Sequence, residues 1–106
     1  MARVLINFPQ RAKRGDIIEV KTLIQHPMET GYRLDNKGAA IPRDIINRFT
    51  CTYNGQEVFR ADLFPAVAAN PFIAFFAVAT ESGELAFSWT DDHGETQTEV
   101  RQITVE

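Results

Sequence analysis

Cys51 carries the only thiol of the chain, and His26, His93 and Met28 are further soft or borderline metal ligands. Copper sites in β-sandwiches draw such residues together in one place, commonly late in the chain. Here Cys51 lies within an alternating apolar run, and only His93 lies late. That spacing argues against copper. Without a second cysteine, or two histidines at short spacing, zinc has no pattern either, and no metal or other cofactor is expected. A nucleophilic cysteine needs a base and an electropositive, accessible setting. Thr50 and Thr52 provide neither, so Cys51 reads as a small core residue beside Phe49 and Tyr53. Asp91 and Asp92 could be an acid–base pair only if they faced each other across a cleft. As neighbours entering His93-Gly94 they read as turn formers. With no serine–histidine–aspartate order, phosphate-binding glycine loop or dinucleotide fingerprint, no catalytic constellation emerges.

The elements that position these residues are strands. Side chains on a strand alternate between its two faces, so a period of two in hydrophobicity marks a half-buried strand. Ile18, Val20, Thr22 and Ile24 share one face, and Glu19 and Lys21 the other. Phe49, Cys51 and Tyr53 oppose Arg48, Thr50 and Thr52, while Leu85, Phe87 and Trp89 alternate with Glu84, Ala86 and Ser88. Asn54-Gly55 is the strongest hairpin signal, because a type I′ turn needs positive φ at both central residues. Seven strands are predicted, near 2–8, 16–25, 45–53, 56–62, 72–80, 84–91 and 95–105. In the last, Val100 is out of phase with Ile103 and Val105, and a bulge near Arg101 or Gln102 would reconcile them. Short strands separated by turns predict an all-β fold, an antiparallel β-sandwich. Two longer connections remain, 26–44 and 63–71, the second with room for a helical turn after Pro65.

Alternation fails in residues 72–79, FIAFFAVA. Phe72, Phe76 and Val78 fall on one face and Ile73 and Phe75 on the other, so one apolar set must point outward. Ile73 and Phe75 are the pair expected there. Either the 26–44 connection covers the outer side, or a second subunit does. Phe64, Pro65, Phe72, Phe75 and Phe76 are the candidate partner interface.

The 106 residues fit a single domain, 1–106, and the 44% hydrophobic content fits a globular one. A net charge of −3 implies no general attraction to nucleic acid. Basic residues gather at the start (Arg3, Arg11, Lys13, Arg14, Lys21) and acidic ones in residues 81–106. Nothing approaches the ~18 apolar residues of a membrane span. The opening residues lack a signal-peptide core, so composition alone predicts a cytoplasmic protein.

Three stretches, HPMETG (26–31), IPRDIINRFTCTYNGQEVFRADLFPAVAANPF (41–72) and ATESGELAFSWTDDHGETQTE (79–99), resemble the SoxZ family over nearly the whole chain. The resemblance implies an immunoglobulin-like sandwich that forms a heterodimer with SoxY. In that pair SoxY bears the sulfur-carrying cysteine, on a flexible glycine-rich arm. Intermediates of thiosulfate oxidation then ride on it between periplasmic haem, manganese and molybdenum–haem enzymes. The present chain would be the non-catalytic scaffold, since it ends in a predicted strand and has no Gly-Gly-Cys arm. The resemblance also implies a periplasmic location, reached with a partner that bears the signal peptide. The loop around His26, Met28 and Glu29 is a candidate contact for the arm or for an enzyme. Two other functions are compatible with the residues themselves: a free-standing binding sandwich, and a thiol-dependent sulfur transferase acting through Cys51.

Overall fold

The computed structural model describes residues 2–106. It contains eight strands: β1 (Val4–Asn7), β2 (Arg11–Ala12), β3 (Ile17–Ile24), β4 (Ile46–Tyr53), β5 (Gln56–Asp62), β6 (Phe72–Val78), β7 (Gly83–Asp91) and β8 (Thr96–Val105). They form two sheets, ordered β1-β3-β6 and β2-β8-β7-β4-β5. The architecture is the all-β sandwich that the alternation predicts, and it is immunoglobulin-like, as the family resemblance implies. The seven predicted strands are all present, and β2 is an addition. Pro9 lies between β1 and β2 and has no amide hydrogen to give to a ladder. There the chain leaves the smaller sheet and runs parallel to β8, pairing Arg11 with Thr104.

The core lies between the sheets. Val20, Phe49, Cys51, Leu85, Phe87 and Trp89 are fully enclosed. Phe49 is the hub, with its ring centroid 5.3 Å from Trp89, 6.1 Å from Phe75 and 6.5 Å from Phe87. Phe59 of β5 stacks on Phe75 of β6 at 4.4 Å and closes the open side of the sandwich. Aromatic pairs at such separations add ~0.5–1.5 kcal/mol to their area burial.

Turn chemistry agrees with the sequence at the β4–β5 hairpin, where Asn54 and Gly55 have φ of 48° and 83°. It disagrees at three places. β8 pairs with β7 without a register shift, so the bulge expected near Arg101 or Gln102 does not exist, and Val100 simply faces solvent. The real irregularities lie in β4, between Cys51 and Thr52 on one side and between Ile46 and Arg48 on the other. The second lets both Ile45 and Ile46 enter the core. After Pro65 there is a single turn, closed by Val67 N–H to Phe64 C=O at 3.0 Å, and no helix. The 26–44 connection folds back on itself through bridges Glu29–Asp44 and Leu34–Ala40. Residues 32–40 of this arm are all exposed. The molecule is elongated, 59 × 20 × 20 Å, with a radius of gyration of 16.1 Å; a compact chain of this size would have ~13 Å.

Candidate partner-binding face

The outer face of the β1-β3-β6 sheet is apolar. Register across β1, β3 and β6 puts Leu5, Leu23 and Phe72 in one row and Asn7, Lys21 and Ala74 in the next. Glu19 then faces Phe76, and Ile17 faces Val78. Leu5, Ile17, Phe72, Phe76 and Val78 are all exposed. Glu19 and Lys21 lie 3.5 Å apart in the middle, so the face carries no net charge there. Its third strand is also a sheet edge. β6 is seven residues long, wholly apolar, with no charge or proline to discourage pairing. Natural edges are normally protected by such residues. The edge of the other sheet, β5, has them in Glu57, Arg60 and Asp62. Between the two edges runs a groove of about 640 Å³ lined by Ile17, Tyr53, Val58, Phe76 and Val78.

This arrangement corrects the sequence reading of β6. Phe75 is 5% exposed and Phe76 65%, so Phe75 belongs to the core and not to the interface patch. The outward set is Phe72, Ala74, Phe76 and Val78. The parity was visible in the sequence, but the choice of face was not, because both sets are apolar. Nor does the 26–44 arm cover this face, since Phe72 and Phe76 remain open to solvent. Phe64 is exposed and Pro65 half-buried; both lie on the β5–β6 connection, off the strands of this sheet. Leu5, Ile17 and Leu23 were missed. Their signal was an apolar residue out of phase in β1 and at each end of β3.

The His26 loop is a built turn. His26 and Asn70 exchange hydrogen bonds, with His26 N–H donating to Asn70 Oδ1 at 2.9 Å and Asn70 N–H to the His26 carbonyl at 2.8 Å. Met28 has φ of 52° and is buried, against the expectation of an exposed contact. Its N–H donates to His26 Nδ1 at 3.0 Å, and its Sδ accepts from Ile46 N–H at 3.2 Å. Glu29 pairs with Arg33, which holds the Glu29 carboxyl below its ordinary range. Cys51 is wholly buried, and burial pushes its thiol up to about 12. A group so placed is neither an accessible nucleophile nor a thiolate near neutral pH.

Comparison with known proteins places this geometry. The family described as sulphur oxidation protein SoxZ matches residues 6–102. No curated protein matches the chain significantly. Among solved structures, the superoxide reductase (neelaredoxin) of Ignicoccus hospitalis superimposes with a TM-score of 0.76 at 18% identity, covering 99% of this chain and 82% of its own. The sulfur carrier protein SoxY of Chlorobium limicola f thiosulfatophilum superimposes with a TM-score of 0.66 at 15% identity, covering 97% and 78%. At such identities these structures share the fold and nothing finer. The family match spans most of the residues that build the sandwich and its apolar face, and the chain belongs to the SoxZ family of sulphur oxidation proteins.

Proposed function

We propose that this chain is the non-catalytic scaffold of a two-chain sulfur carrier and binds a SoxY-type subunit through the outer face of the β1-β3-β6 sheet. The partner's cysteine arm bears the sulfur intermediates of thiosulfate oxidation, and the present chain holds the partner in place. The observation that carries this reading is the exposed apolar row on an unprotected edge strand: Phe72, Phe76 and Val78 beside Ile17. Monomers seldom leave such a surface open. Covering two phenylalanines at ~25 cal/mol per Å² contributes a few kcal/mol before the costs of association. The buried Cys51 speaks against a transferase acting through this chain's own thiol. A periplasmic location, reached by export together with the partner, is part of the same proposal.

Replacing Phe72 or Phe76 with Asp tests the interface. Both side chains are solvent-exposed in the single chain, so circular dichroism and the urea midpoint are expected to stay near wild type. Co-purification with the SoxY-type partner is expected to fall at least tenfold, about 1.4 kcal/mol or more. Phe75→Asp is the contrasting variant; it buries a charge in the core and should prevent folding. Full partner binding by folded Phe72→Asp and Phe76→Asp would remove this face as the interface.

A further inference from the structure

The loop end of the sandwich brings together groups that the sequence keeps far apart. Asp44 closes the 26–44 arm, Asp91 ends β7, and His93 lies in the β7–β8 turn. One ligand atom from each lies within 4.8 Å of the others. The two stretches are clamped. Arg43 makes two bonds to Asp92, 2.8 and 2.9 Å long, and Asn47 Nδ2 donates to the same carboxylate at 3.1 Å. Asp92 N–H bonds to the Ile45 carbonyl at 3.0 Å. Arg43 is thereby committed elsewhere, and among the described residues no Lys or Arg pairs with Asp44 or Asp91.

Two buried polar atoms of this end of the sandwich are orphaned, and one of them belongs to the cluster. Asp44 Oδ1 is buried and has no hydrogen-bond donor. His93 Nδ1 lies 3.4 Å from it and His26 Nε2 3.8 Å. Trp89 is 1% exposed, and its indole N–H has no acceptor. Trp89, His26, Asp91 and Glu95 line one cavity of about 430 Å³. Buried polar atoms are nearly always paired with protein, water or an ion, so both orphans call for an explanation. A cation answers the orphaned acceptor, because it takes the lone pair of Asp44 Oδ1. The indole N–H is a donor and calls for an acceptor of its own, such as water in the cavity that Trp89 lines.

We infer that Asp44, Asp91 and His93 bind a divalent first-row transition cation. Two carboxylates and one neutral imidazole balance a charge of +2. The mixed oxygen and nitrogen set suits zinc or its neighbours better than calcium or magnesium, which prefer oxygen alone. Asp91 has one oxygen available, because Oδ1 is occupied by the N–H groups of His93 and Glu95 in the turn, at 2.9 and 3.0 Å. His26 is an outer partner and not a ligand. Its Nδ1 accepts from Met28 N–H, so the neutral ring carries its proton on Nε2, facing Asp44. A donor in that position orients a ligating carboxylate. The ion joins the base of the arm to the β7–β8 turn.

Zinc is the probe for the test. The full chain, free of any affinity tag and stripped with a chelator, is titrated calorimetrically with Zn²⁺, Mg²⁺ and Ca²⁺. One Zn²⁺ per chain is expected, with Mg²⁺ and Ca²⁺ much weaker. Asp44→Asn and His93→Ala should each weaken zinc at least about tenfold, the usual effect of disturbing a metal's surroundings. Cys51→Ala should bind like wild type. Circular dichroism establishes that each variant is folded. If Asp44→Asn is not, the visible d–d absorption of bound Co²⁺ in wild type and His93→Ala provides a second reading. Loss of that band in the His93 variant is the result expected. Absence of stoichiometric zinc binding would overturn the site, leaving an ordinary His93–Asp44 ion pair. So would zinc binding, or a Co²⁺ band, that ignores these substitutions.

Discussion

Phe75 and Phe76 are adjacent, have the same side chain, and take opposite positions: one packs against Phe49 and Phe59, the other faces solvent. Sequence periodicity separates them but cannot rank them, because a strand with two apolar faces has no polar residue to mark the outside. Cys51 was easier to read. Its parity with Phe49 and Tyr53 put it inward, and it is enclosed. Iodoacetamide at pH 8 is therefore expected to leave the native thiol unmodified and to label it fully in denaturant, as mass spectrometry would show. The same burial predicts a pH effect on stability. The folded thiol ionises only near pH 12, against an ordinary value of 9.0. Below 9 the thiol is neutral in both states and stability is unaffected. From about 9 to 12 the unfolded chain alone loses its proton, so stability should fall as pH rises through that window. Equal urea midpoints for wild type and Cys51→Ser across that window, after allowing for their offset at pH 7, would count against it.

Most strands were legible as elements because their partners face water on one side. β3, β4 and β7 alternate as one-sided strands must, and the Asn54-Gly55 turn fixes the register of β4 against β5. β2 was not legible, since two residues cannot show a period. The arm from 26 to 44 read as an irregular connection because its pairing consists of isolated bridges. The β6–β7 connection is held by a side chain from another element. The Tyr53 hydroxyl of β4 accepts from the N–H groups of Thr80 and Glu81, at 3.3 and 3.2 Å, and donates to the Glu81 carbonyl. Tyr53→Phe keeps the ring and removes all three bonds. It should cost about 1–2 kcal/mol, seen as a lower urea midpoint at an unchanged slope. An unaltered midpoint would mean that solvent replaces these bonds without loss.

For the whole molecule, the sequence located a greasy strand but not the sheet that presents it. The face needs Leu5 from β1, Ile17 and Leu23 from β3 and Phe72 and Phe76 from β6, and only pairing brings these together. The cluster of Asp44, Asp91 and His93 was hidden for the same reason: its members meet through the clamp around Asp92. The bare edge of β6 has a consequence for how cells handle the polypeptide. Seven consecutive apolar residues whose outer edge has no strand to pair with will recruit any strand that drifts near, including one from a sister copy. A host therefore has little use for a free reserve of this subunit. Synthesised in excess of the proposed SoxY-type partner, it should end up in inclusion bodies or be degraded, whereas balanced production of the two should keep it in the soluble fraction, a difference visible by fractionating cells that express one gene or both.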